Sequence, residues 1–180
     1  MALAQEKHYT VKDIYNLPEG VRAELIDGEM YMMAAPGTGH QRILNYLSTE
    51  INLFIRKMDG NCEVFPAPFA VFFNNDDKTY VEPDISVICD KSKLDDRGCN
   101  GAPDWVIEIV SPSSRAMGYL KKLFKYQTAG VKEYWIVDPM RKQVIVYRFD
   151  ADEYSIHYSF TDEIPVGIYD GDLKLRIETE

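Results

Sequence analysis

The chain has 180 residues, with 46% apolar and 12% aromatic side chains. That is enough for one domain with a real core and excludes a disordered tail. With 20 Lys+Arg against 29 Asp+Glu, the net charge of −9 argues against broad, non-specific binding to phosphate backbones. It leaves room for a local site where acids hold a cation. No apolar run approaches the ~20 residues needed to cross a bilayer, so no membrane association is expected, and Met1–Thr10 shows no secretory pattern. Cys62, Cys89 and Cys99 are widely spaced and odd in number. They suggest neither a disulfide framework nor a zinc clip, and a reducing, cytoplasmic setting is expected.

The first predicted element is a helix over Val11–Leu17, capped by Thr10 and stopped by Pro18 and Gly20. Asp27-Gly28 between two extended runs predicts a hairpin of Glu24–Ile26 with Glu29–Met33. Ile43, Leu47, Ile51 and Ile55 recur every four residues, which predicts a long helix over Gly39–Met58. Strands are expected at Cys62–Phe65 and Phe69–Phe73, with a polar turn at Asn74–Lys78. Asp84–Cys89 and Trp105–Val110 read as central strands buried on both faces. The charged, Gly-bearing Lys91–Gly101 between them reads as a surface loop. A helix follows over Ser113–Gly130, with Leu120, Leu123, Phe124 and Gln127 on its packed side. Strands at Glu133–Val137 and Gln143–Phe149 and strand-like segments at Glu153–Phe160 and Asp172–Ile177 complete the chain. The order predicts an α/β fold, a mixed β-sheet flanked by helices with an N-terminal β-hairpin extension.

Three residues carry candidate chemistry. Glu108 interrupts Trp-Val-Ile-Glu-Ile-Val, and a carboxylate in a buried strand needs a partner, a cation or a proton. Asp84 follows Glu82-Pro83 at the start of its strand. Two acids on neighbouring strands suit Mg²⁺, which takes one or two carboxylates and keeps several waters. The plainer reading is a salt bridge at Glu108 and a turn cap at Asp84. At ~100° per residue, Lys122 falls on the helix flank beside Tyr119 and Tyr126, where its amine can reach Glu108. Lys121 and Lys125 point further from the apolar stripe; all three could equally be solvated. Glu24, Asp27, Glu29 and His40 form a second polar set. His8, His40 and His157 lack zinc-ligand spacing. There is no P-loop lysine and no Gly-x-Ser-x-Gly elbow.

The residues Ala23-Glu24-Leu25-Ile26-Asp27-Gly28-Glu29, His40, Glu82-Pro83-Asp84-Ile85, the run Pro103–Ser114, Lys122-Leu123-Phe124-Lys125-Tyr126 and the run Ala129–Pro139 resemble the Uma-two family of bacterial restriction-endonuclease-like proteins. The likeness extends from Arg22 to about Phe149. It implies a PD-(D/E)XK nuclease core and metal-dependent cleavage of nucleic acid, DNA by preference. Asp84, Glu108 and the Ile109 carbonyl are then expected to bind Mg²⁺ or Mn²⁺, and Lys122 to orient the attacking water. Glu24, His40 and Tyr126 are expected to position substrate or support the ligands. The usual lysine two residues after the acid is replaced by Val110, and the resemblance moves that role to Lys122. Many relatives carry an acid four residues before this lysine; here it is Gly118. A homodimer is expected, since tyrosine-bearing tail strands offer a pairing edge. The competing expectation is an inactive, dimeric module that binds nucleic acid or protein on a nuclease-like fold.

Overall fold

Two six-stranded sheets and three α-helices organise the computed structural model, which describes residues 8–73, 76–110, 115–151 and 155–178. Helix α1 (Val11–Tyr15) starts at Thr10, whose backbone and hydroxyl both donate to the Asp13 carboxylate. Strands β1 (Ala23–Ile26) and β2 (Glu29–Met32) form the expected hairpin, with Ile26 opposite Glu29. Asp27 and Gly28 both take positive φ (51° and 83°), the two-residue turn that matches strand twist.

Helix α2 (Thr38–Lys57) buries Ile43, Leu44, Leu47, Ile51 and Ile55. It is followed by β3 (Glu63–Pro66), β4 (Val71–Phe72), β5 (Tyr80–Val81) and β6 (Ile85–Ile88). Then come β7 (Leu94–Asp95), β8 (Gly98–Asn100) and β9 (Trp105–Ile109). Helix α3 (Arg115–Ala129) leads into β10 (Glu133–Asp138), β11 (Gln143–Arg148) and β12 (Ser155–Ser159). The pair β13 (Ile164–Pro165) and β14 (Lys174–Leu175) closes the order.

The larger sheet runs β12-β11-β10-β9-β6-β3 and the smaller one β2-β1-β5-β4-β8-β7. In the larger sheet only β9 and β10 are parallel, the pair that α3 connects. Side chains alternate across it. Ile85, Val87, Trp105, Ile107, Trp135 and Val137 pack with α2 on one face. Ile88, Val106, Tyr134 and Ile136 pack with Tyr126 of α3 and with Val71, Phe73 and Val81 from the smaller sheet on the other. At ~25 cal/mol per Å² of apolar surface removed from water, these two cores dominate the stabilisation.

Three expectations need correction. Lys91–Gly101 is not a plain loop: its Asp95 carboxylate accepts from the Arg97 and Gly98 backbones, folding β7 onto β8. The cysteines are not all free. Cys62 and Cys89 form a disulfide, because β3 and β6 pair with Glu63 opposite Ile88 and so bring the next two residues face to face. That removes the premise of three free thiols behind the expected reducing setting. On α3, Phe124 is exposed while Lys125 is buried, since the hairpin's acids cover the helix's polar flank. The expected sites of Asn74, Ser113 and part of the Glu153–Phe160 segment lie outside the described residues, and so do the side chains of Gly118, Tyr119 and Leu120. No described helix is long and apolar enough to cross a membrane.

Candidate active site

The site forms where β6 begins and β9 ends. The antiparallel register pairs Ile85 with Ile107; one step outward sets Asp84 opposite Glu108, on the same face of the sheet. The sheet thus places two carboxyl groups together by backbone pairing alone. The Ile109 N–H donates to Asp84 Oδ2 at 2.7 Å, and the Ala67 N–H of the neighbouring chain segment donates to the Asp84 carbonyl at 2.8 Å. These bonds fix Asp84 from both sides.

Helix α3 supplies the cation. Lys122 Nζ lies 2.9 Å from Glu108 Oε1 and 2.8 and 2.7 Å from the two oxygens of Glu24. The Tyr126 hydroxyl, one helical turn on, donates to the same Glu108 Oε1 at 2.6 Å. Among the described residues both bonds to Glu108 fall on Oε1. Lys122 is 12% and Glu108 13% exposed at the side chain, so the pair is partly screened from water and strongly felt.

The hairpin supplies a further acid. Glu24 sits on β1 beside Val81, and its Oε1 also accepts the Glu82 N–H at 3.0 Å. Glu82 is itself buried. It accepts the Tyr80 hydroxyl at 2.5 Å and a close ion pair from Arg22. From the start of α2, His40 Nε2 lies 3.1 Å from Asp84 Oδ1.

The electrostatics follow from the count of groups. Glu24, Asp84 and Glu108 face one lysine and one imidazole. Burial pushes the Glu108 carboxyl up to about 7, and Asp84 and Glu24 add to this, while Lys122 and Tyr126 oppose it. Burial opposes charge on Lys122, but Glu108 and Glu24 outweigh it and hold the ammonium above its ordinary value. Burial likewise opposes charge on His40; the hydrogen bond and charge of Asp84, then Glu108 and the Ile109 carbonyl, turn the net shift upward. The Tyr126 hydroxyl is pushed well up by burial and by Glu108 and Glu24. A carboxyl that resists ionisation beside a fixed ammonium marks a cluster with acid to spare for another cation.

All seven residues singled out in the sequence — Asp84, Glu108, Ile109, Lys122, Glu24, His40 and Tyr126 — meet here. The remaining members of the second polar set serve the rim: Lys121 Nζ is 2.6 Å from Glu29, and Lys125 pairs with Asp27. Sequence reasoning missed the Arg22–Glu82–Tyr80 network behind Glu24. Its one signal was an acid directly before Pro83, on a segment read only as a lead-in. Asp84, Glu108 and the Ile109 carbonyl make an all-oxygen donor set of the kind a hard dication takes, so the residues fit Mg²⁺ or Mn²⁺. Among the described residues no group of three His, Cys, Asp or Glu converges on one metal point, so waters and the carbonyl would complete such a shell.

The fold is restriction-endonuclease-like. A family model, Uma2, described as "Putative restriction endonuclease", matches residues 11–167, and the chain belongs to this family. It is similar to an uncharacterised protein of Synechocystis sp., 28% identical over 145 residues, which cover 78% of this chain and 74% of that protein. It is also similar to the crystal structure of "a putative nuclease belonging to DUF820" from Anabaena variabilis. That match has a TM-score of 0.75 and 24% identity over 93% of this chain and 94% of the other, a likeness of fold.

Proposed function

We propose that the chain is a divalent-cation-dependent nuclease that hydrolyses phosphodiester bonds, with DNA as its substrate. The observation that carries this reading is the facing pair Asp84 and Glu108 with Lys122 bonded to the latter, inside a nuclease-like fold. Asp84, Glu108 and the Ile109 carbonyl would hold Mg²⁺ or Mn²⁺. A dication there supplies an acidified water and neutralises charge on the phosphoryl oxygens.

The chain's own groups do the rest. Tyr126 and Lys122 fix Glu108 through one oxygen. Glu24 grips Lys122 through both its oxygens and holds the ammonium beside the acids. From there Lys122 orients the attacking water and stabilises negative charge as the phosphorus adds its fifth oxygen. The ion pairs of Lys121 and Lys125 keep the hairpin over α3 and shield this lysine from bulk water. With a net charge of −9, the surface offers phosphates little attraction, so substrate affinity depends on the bound cation. A symmetric dimer would present two such sites to the two strands of a duplex.

The test is a plasmid-nicking assay with Mg²⁺ or Mn²⁺ and with EDTA. Cleavage is expected only with metal, and is expected to vanish in Asp84→Asn and in Glu108→Gln while circular dichroism stays native. Full cleavage by either variant refutes the mechanism. A wild-type chain that binds Mn²⁺ and DNA yet leaves the DNA intact points instead to the binding module.

A further inference from the structure

His40 stands in the first turn of α2, at a helix start that the core does not need. Its Nε2 is 3.1 Å from Asp84 Oδ1, one of the oxygen groups assigned above to the dication. A ring held this close to that carboxylate stands where a cation bound to it would sit. The ring is not braced as metal-binding imidazoles usually are, through a hydrogen bond on the far nitrogen: Nδ1 is buried with no partner.

We propose that the His40 imidazole is the resident placeholder of the cation position, and that a divalent ion enters by displacing it from Asp84. This rests on the reading of Asp84, Glu108 and Ile109 as the ion's ligands. The ring is 13% exposed. Once displaced, the imidazole stays at the rim of the site on the first turn of α2. There its N–H groups meet whatever the ion brings in. The placeholder covers Asp84 when no metal is bound, and it sets a threshold concentration for loading.

Calorimetry of Mn²⁺ into the full-length chain tests this. His40→Ala is expected to bind Mn²⁺ about tenfold tighter than wild type, the scale of one charge-assisted hydrogen bond no longer surrendered; Asp84→Asn is expected to bind none. Wild-type binding with equal or weaker affinity in His40→Ala overturns the placeholder role and leaves the cation site standing. No heat from either protein overturns both. A second measurement needs no variant: in ¹⁵N-histidine spectra of the wild type, Mg²⁺ is expected to abolish the hydrogen-bonded Nε2–H signal of His40. If that signal persists at saturating Mg²⁺, the ring has not moved. A tighter His40→Ala would then reflect removal of a nearby positive group, and the proposal fails.

Discussion

Replacing Glu108 with glutamine keeps the side chain's shape and one acceptor for Lys122 and Tyr126, and removes its titration. In the metal-free protein the Glu108 carboxyl is pushed from its ordinary 4.5 to about 7, chiefly by burial. A group raised in the folded state holds its proton more tightly there than in the unfolded chain. Its contribution to stability is therefore complete below pH 4.5 and is lost as pH rises through about 7. At about 1.4 kcal/mol for each tenfold in proton affinity, the gap amounts to about 3 kcal/mol. Glutamine carries no such dependence. The stability of Glu108→Gln minus that of wild type is thus expected to rise by about 3 kcal/mol between pH 4.5 and about pH 8. Urea unfolding in EDTA at stepped pH measures it, provided the two proteins share one m-value. Saturating Mn²⁺ at the alkaline end should then stabilise wild type and leave the variant unchanged. A stability difference that is flat across this range refutes the reasoning. It would mean that Lys122 alone satisfies Glu108, and that the cluster has no spare negative charge for a cation.

The remaining predictions concern stability and are read by urea or thermal unfolding. Lys122→Ala leaves Glu24 and Glu108 buried without their cation and is expected to cost about 3–5 kcal/mol near neutral pH; the deficit should shrink in mild acid, where Glu108 takes up a proton. Cys62→Ser opens a link between residues 27 apart in sequence and is expected to cost about 3 kcal/mol, with wild type losing a similar amount in reductant. Gly98→Ala should fail where Gly39→Ala does not. At Gly98 the backbone has φ +145° and a Cβ would stand 2.2 Å from the Ala70 carbonyl oxygen, forcing β8 off β4, whereas Gly39 is open and helical. A loss of about 2 kcal/mol or more is expected at Gly98 and a gain of up to about 1 kcal/mol at Gly39.

Much of the framework is legible because it is local. Asp27-Gly28 specifies its own turn, and the four-residue spacing from Ile43 to Ile55 specifies the buried stripe of α2. Glu108 stands out because it interrupts an apolar run and Asp84 because it opens one, and the register that joins them follows from two neighbouring central strands. What escapes is non-local. Strand β5 is two residues long and exists because β1 and β4 flank it. Cys62 and Cys89 meet only through the pairing of β3 with β6. Helix α3 misleads for a different reason. Periodicity reports one apolar face, but this helix lies between the large sheet and an acidic hairpin and so has a second, polar face that is also covered. Hence Lys125 is buried and Phe124 exposed, against a reading from hydrophobicity alone.

The hairpin's three acids are not equivalent, and the difference says what the hairpin is for. Glu29 and Asp27 are 58% and 67% exposed in their pairs with Lys121 and Lys125, so solvent screens both pairs. Glu24 is 7% exposed and takes Lys122 through both oxygens. A lysine on β9 two residues beyond Glu108 would be aimed by the strand itself. Val110 occupies that position, and the amine arrives instead on a four-carbon stem from a helix, with rotamer freedom worth up to about 2 kcal/mol to suppress. Suppressing it takes a second anchor on the far side of the amine, and Glu24 is that anchor. Glu24 is in turn held by the Glu82 N–H, one residue before Pro83 and two before Asp84. The strand that delivers the first acid therefore also fixes the group that holds the lysine. One short segment, Glu82–Asp84, sets the spacing between the two halves of the site.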